Sequence, residues 1–216
     1  KRTSGTFTLS ARGGVGGESL TAYQNEVNNS QELSGVTVHN RIVTVKNTNS
    51  SVDTYYTKFN ANNEISGSGT WIECLKPGAE KGLVAATMPH KLYNNAKNAF
   101  IFSPIAWVER LVGDDVSNEH PSFVSKDATG DYIGTIEQSF FYNNRLGFLT
   151  ADNVSMSKAA AFYDFYMTTA QTSTDADPID INCSSTKHGD LHAIVPSAGG
   201  LLLYSAEQQF IMYSAD

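Results

Sequence analysis

Asp175, Asp177 and Asp180 are the carboxylates whose spacing most invites chemistry. Glycoside hydrolysis needs two acids about 5–10 Å apart, one to protonate the leaving oxygen and one to act as base or nucleophile. The same aspartates flank Pro178, where aspartate is expected as a turn former. His188, Asp190 and His192 alternate along the chain, so a strand would present all three on one face. Two imidazoles and a carboxylate suit zinc, but no fourth ligand follows nearby, and a solvated strand edge explains the pattern as well. Asp114, Asp115, Glu119 and His120 form another acidic loop, without the ligand spacing of a calcium-binding EF-hand. Ser157 and Ser205 sit in no GxSxG elbow, so a serine hydrolase has no support.

Arg145 stands between an aromatic segment and Leu146-Gly147-Phe148-Leu149. A guanidinium there can fork onto a carboxylate or onto backbone carbonyls, and a structural anchor is the expectation. Phe162, Tyr163, Phe165 and Tyr166 could stack sugars or bases, though core and interface is the plainer role. No nucleophile–base pair is visible. No residue is therefore assigned as catalytic, cofactor-binding or metal-ligating, and no cofactor is expected.

The elements that must hold these residues read as strands. Within 138–153, Phe140-Phe141-Tyr142 and Leu146-Gly147-Phe148-Leu149 read as two short strands joined by a polar turn at Asn143-Asn144, residues that tolerate left-handed geometry, and the chain turns again at Ala151-Asp152-Asn153. Val36–Val45, Thr54–Phe59 and Gly69–Cys74 read as strands of a small meander separated by Asn-rich turns. Phe100–Trp107 is a strand broken at Pro104, and Lys76-Pro77-Gly78 is a turn. Ile179–Cys183, Leu191–Val195 and a hairpin over 200–213, turning near Ala206-Glu207, complete the series. Helix is expected at Lys158–Phe165, where three alanines favour it, and over a short Leu20–Val27. The glycine cluster Gly13-Gly14-Val15-Gly16-Gly17 fits neither GxGxxG nor a phosphate-binding loop and reads as a connection.

With 216 residues, 40% hydrophobic and 17% charged, the chain can bury a substantial core. No apolar run reaches the ~18–20 residues of a membrane span, and no secretory pattern opens the chain. Cys74 and Cys183 are far apart and form no CxxC pair, so reduced thiols are expected. A formal net charge of −7 argues against a nucleic-acid-binding module. It suits an ordinary acidic protein, or the wall of a channel to which a polyanion must not adhere.

Several words occur in a telling order: Pro121-Ser122-Phe123-Val124, Phe140 to Leu149, Ser157-Lys158, Phe162 to Tyr166, Asp175 to Asp180, Ala193 to Pro196, and Leu201 to Phe210. This succession resembles the tail nozzle proteins of short-tailed bacteriophages, from about Thr87 to the C-terminus and more weakly over Val36–Trp71. The resemblance implies an all-β, mostly antiparallel fold: a flexible segment or connection over 1–35, a small β-domain projecting laterally over 36–95, and a partial β-propeller over 96–216. It implies an internal piece of a longer structural protein, since nozzle proteins are several times longer. Such subunits form a ring, expected to be a hexamer, that retains the genome and then conducts it outward. The implied partners are copies of itself, a tail adaptor, tail fibres and double-stranded DNA passing without sequence-specific binding. The place is the virion tail, assembled in the host cytoplasm. The alternative is a virion-borne glycan-degrading or receptor-binding protein with Asp175, Asp177 and Asp180 as its acids. A third possibility, a secreted carbohydrate-binding domain, is weakened by the missing signal pattern.

Overall fold

A computed structural model describes residues 24–48, 54–124, 129, 135–183 and 190–213. In chain order the strands are β1 (Glu26–Val27), β2 (Val36–Val38), β3 (Ile42–Val45), β4 (Tyr55–Ala61), β5 (Ser66–Cys74), β6 (His90–Asn94) and β7 (Phe100–Pro104). They continue as β8 (Gln138–Tyr142), β9 (Arg145–Thr150), β10 (Asn153–Met156), β11 (Ile179–Asn182), β12 (Leu191–Ser197), β13 (Gly200–Ser205) and β14 (Gln209–Met212). The described residues contain no α-helix, only 3-10 turns at Ser30–Glu32 and Ser122–Val124. The chain is all-β, and within its sheets only the short β1–β3 contact is parallel.

The first sheet has the order β1-β3-β4-β5-β2. Val36–Val45, expected as one strand, is broken at Asn40, whose φ is 62°. Its halves join opposite sides of the β4–β5 hairpin, β2 pairing with β5 and β3 with β4. The left-handed asparagine turns the chain across that hairpin, and the Asn40 N–H donates to the Phe59 carbonyl at 2.8 Å. Val43, Val45, Tyr55 and Phe59 are buried, and Trp71 meets Phe59 edge-on with ring centres 5.1 Å apart. The expected helix ending at Val27 is corrected. Glu26 and Val27 pair in parallel with Thr44 and Val45, which satisfies their backbone between strands, whereas residues 20–23 lie outside the described ones.

The second sheet, β11-β10-β9-β8, is antiparallel throughout. Asn143 and Asn144 have φ of 45° and 59°, the doubly left-handed pair that a two-residue hairpin needs to match strand twist. Strand β9 is buried along its whole length. Leu146 and Phe148 face an aromatic cluster with Trp107, Phe123 and Phe165. Leu149 faces the other way, toward Val154, Met156 and the inner residues Leu191, Ile194, Leu201 and Leu203 of a third sheet, β12-β13-β14. A strand covered on both faces must be a near-continuous apolar run, and Leu146-Gly147-Phe148-Leu149 is one. The Gln138 side chain laces these sheets together, accepting from the Ile194 N–H at 2.9 Å and donating to its carbonyl at 3.2 Å.

The helix expected over Lys158–Phe165 is also corrected. Lys158 bridges to Ala161, Ala160 takes φ of 61°, and the Lys158 ammonium pairs with Asp164 at 2.8 Å. The N–H groups of Ala159 and Ala160 donate to the carbonyls of Ala176 and Asn144, in other segments, at 3.0 and 2.9 Å. Two helical turns carry the whole nucleation cost for few bonds, so burial of Phe165 and Tyr166 overrides the alanine preference. The first sheet is joined to the rest through Glu73 on β5. Its carboxylate accepts from the Thr169 hydroxyl at 2.6 Å, the Ala170 N–H at 2.7 Å and the Gln171 amide at 3.2 Å.

Gly147 lies opposite Phe140 in the β8–β9 register, and the Phe140 ring occupies the space a side chain would need. A Cβ at residue 147 would stand 2.1 Å from the end of that ring. Gly147→Ala is expected to destabilise the protein by about 1–3 kcal/mol through overpacking. Chemical denaturation reads this as a lowered midpoint, and Phe140→Leu in the same chain should recover part of it. An equal loss with and without the Phe140 ring would rule out the steric cause.

Candidate functional site

Arg145 opens β9 with 5% of its surface exposed, so its guanidinium must find partners inside the protein. Nη1 donates to the carbonyls of Ser157 and Asp177, each at 2.6 Å, and more weakly to Ala176 at 3.4 Å. Nη2 donates to the carbonyl of Asp175. The fork thereby holds the loop 175–177 against β9. Burial draws the Arg145 pKa below its ordinary value, and the nearby Asp177 charge opposes that. The anchor expected from the sequence is present, and its acceptors are carbonyls.

Asp177 is 3% exposed, and its carboxylate caps the loop from within. Oδ1 accepts from the Thr168 N–H at 3.2 Å and hydroxyl at 3.0 Å; Oδ2 accepts from the Thr174 N–H at 2.8 Å and hydroxyl at 2.9 Å. Burial alone would raise its pKa, but these hydrogen bonds outweigh it and hold the carboxyl below the usual range. Asp180 turns elsewhere, accepting from the Ser122 N–H at 2.6 Å, the Ser122 hydroxyl at 2.8 Å and the Ser155 hydroxyl at 3.1 Å. Asp175 is exposed and contributes its carbonyl to Arg145. A general acid must hold a proton near neutral pH, which Asp177 is built to refuse.

The acidic loop at 114–120 is likewise absorbed into structure. Asp114 accepts from the N–H groups of Val116 and Ser117 and from the Ser117 and Tyr56 hydroxyls, all at 3.1 Å. Burial raises its pKa and these bonds lower it further, so the net shift is downward. Asp115 pairs with Arg110 at 2.7 Å. Arg110, which no motif in the sequence marks, is fully buried. It donates to the Glu80 carbonyl through Nε at 3.1 Å and Nη2 at 2.6 Å, and to the Asn118 carbonyl through Nη1 at 2.9 Å. The available signal is the Glu109-Arg110 pair set in otherwise apolar residues over 105–112.

His188 lies outside the described residues, while Asp190 and His192 are exposed. Among the described residues no group of histidine, cysteine and acidic side chains could hold a metal ion. Cys74 and Cys183 are free half-buried thiols, and burial pushes both pKa values up, away from nucleophilic reactivity. Ser157 and Ser205 spend their hydroxyls on neighbouring backbone. Phe165 and Tyr166 are core, and Phe162 packs edge-on against Phe141. Open grooves among the described residues include one of about 890 Å³, walled by Leu83, Val84, Met88, Phe123 and Ile136 and edged by Glu80, Asp115 and Glu119, and one of about 490 Å³ that includes Asn118, Ser122 and Asp180.

The chemistry-bearing residues thus resolve into anchors of a scaffold. The family model described as bacteriophage nozzle protein matches residues 1–216. The chain belongs to the bacteriophage nozzle protein family. It is also similar to the tail tubular protein gp12 of Escherichia phage T7, with 33% identity over 162 residues that make up 75% of this chain and 19% of that protein. The chain therefore spans far less than the length of the relative it matches. Membership in the nozzle family makes it a structural component of a phage tail, carried in the virion.

Asp177→Asn replaces an acceptor-only group by one whose NH₂ must face a donor. The expected cost is about 1–3 kcal/mol at neutral pH. Because the folded Asp177 pKa is depressed, its stabilisation is present above the unfolded value of about 3.9 and is lost as pH falls through the folded value. Denaturation curves of the two proteins should therefore converge on acidification below about pH 4. A gap that stays constant down to pH 2 would contradict the hydrogen-bonded carboxylate.

Proposed function

We propose that this chain forms part of the wall of a tail nozzle, a ring-shaped conduit that retains the DNA genome and then conducts it during ejection. The observation that carries the proposal is the nozzle family match over residues 1–216. The ring is a homo-oligomer, expected to be a hexamer, set against a tail adaptor and beside tail fibres. Residues 36–95 are its lateral projection and 96–216 its body, the boundary passing through the turn of the β6–β7 hairpin, with the sheets β8–β11 and β12–β14 as neighbouring propeller blades. Face-to-face packing of these antiparallel sheets through Leu149, Val154, Ile194 and Leu203 supports that arrangement.

Electrostatics favour a wall that does not hold DNA. The formal net charge is −7, and Arg110 and Arg145 are buried, so neither cation is offered to phosphate. Affinity for duplex DNA comes chiefly from exposed Lys and Arg that release counterions. The glycan-degrading alternative draws no support from the site: Asp177 is fully engaged as an ionised cap and Asp180 is tied to Ser122 and Ser155.

Gold-labelled antibody against this chain, viewed by electron microscopy of the virion, should mark the central tail beyond the adaptor. Label on peripheral spikes would favour the glycan or receptor-binding alternative, and absence of label despite good binding to denatured protein would overturn both. A companion gel-shift experiment is expected to show no retention of a DNA duplex at about 0.1 M salt. Retention that weakens steeply with added salt would contradict a non-adhesive wall.

A further inference from the structure

The hairpin formed by β6 and β7 is the most apolar exposed element. Its register sets Leu92 opposite Phe102 and Asn94 opposite Phe100, so Leu92, Phe100 and Phe102 share one face. They are 64%, 72% and 70% exposed. The two strands pair only with each other among the described residues. A lone two-stranded hairpin is marginal in water, and large apolar side chains grouped on one exposed face mark an interaction surface.

Charge narrows what covers that face. From residue 81 to residue 108 the chain has no aspartate or glutamate, and the hairpin carries Lys91 and Lys97. The groove of about 890 Å³ has the complementary character, with apolar walls at Leu83, Val84, Met88 and Phe123 under a rim of Glu80, Asp115 and Glu119. Arg110 beneath the rim is engaged by Asp115, and His120 lies 3.7 Å from Glu80, so the rim also contains cationic or titratable groups. The volume is in the range that accepts several large apolar side chains. Pro89 lies in the groove wall immediately before β6, yet Phe100 and Phe102 are exposed, so a chain does not fill its own groove with them.

We propose that the β6–β7 hairpin of one copy seats in the acid-rimmed groove of the next copy of this chain. This inference rests on the ring reading above and assigns its subunit contact. Hairpin and groove are different patches, so the contact is head-to-tail: each copy donates once and accepts once, the arrangement that closes a ring when the rotation permits. Leu92, Phe100 and Phe102 enter the apolar floor and Lys97, in the hairpin turn, meets the carboxylate rim, whereas Lys91 projects from the opposite face of β6 over the Tyr93 ring.

The test uses the full-length nozzle protein with its cysteines replaced, including Cys74→Ser and Cys183→Ser. Phe102→Cys and Val84→Cys are made in separately tagged copies and mixed under mild oxidation, with Leu92→Cys as a second donor in case Phe102→Cys folds poorly. The expected result is a disulfide joining the two tags, and a ladder beyond the dimer when both substitutions are in one chain. Lys97→Glu should shift the protein toward monomer, and Glu119→Lys in the accepting copy should restore assembly, while Lys91→Glu on the opposite face should leave it unchanged. An oligomer of native size without the mixed disulfide would overturn this contact while leaving the ring reading standing. That result would mean that another tail protein covers the groove. Phe102→Cys joining to itself would mean hairpin-on-hairpin pairing and overturn the contact too. A ladder that stops at the dimer would overturn head-to-tail closure. A full-length protein that stays monomeric would remove both the contact and the ring.

Discussion

The constraint on which the rest of the body depends is the burial of Arg145 at the head of a strand covered on both faces. A guanidinium cannot shed its charge in a protein, so it must be surrounded by acceptors. Those acceptors are the carbonyls of Ser157 and of residues 175–177, reached from β9 across a long excursion of the chain between β10 and β11. Once that loop is tied down, Asp177 is enclosed and must satisfy its own oxygens, which Thr168 and Thr174 do. Phe165 and Tyr166, carried on the same excursion, then complete the core on the outer face of β9. One cation therefore organises a loop, a buried anion and an aromatic cluster together.

The same logic runs through the other charged groups. Arg110 gathers the carbonyls of Glu80 and Asn118 and the carboxylate of Asp115, while Asp114 caps its own turn and receives the Tyr56 hydroxyl from the first sheet. Glu73 returns the connection from the other side. Polar side chains that could have formed a reactive constellation are consumed in joining irregular segments to sheets. That use suits a tail structural protein, whose loops must keep a defined shape without regular hydrogen bonding of their own.

Beside these anchored charges, the β6–β7 hairpin and the groove beside its root stand apart. Apolar surface and opposite charge face outward on both, the character expected of an interaction surface.

The all-β class, the Asn143-Asn144 hairpin, the strands around it and the turn at Ala206-Glu207 were legible in the sequence because alternation, β-branched content and turn chemistry are local signals. The order of its motifs also carried the resemblance to nozzle proteins. Arg145 was legible as an anchor, since an arginine between apolar strands has few other uses. Its partners were not, because carbonyls twelve to thirty-two residues away leave no mark in residue type. The missing helix at Lys158–Phe165 and the split of Val36–Val45 at Asn40 have the same origin. Local preference there is worth tenths of a kcal/mol per residue, and tertiary burial and cross-strand bonds outweigh it. Asp175, Asp177 and Asp180 looked equivalent along the chain. Only the fold separated a buried ionised cap, a serine-bound carboxylate and an exposed turn residue, because ionisation depends on what surrounds a group in space.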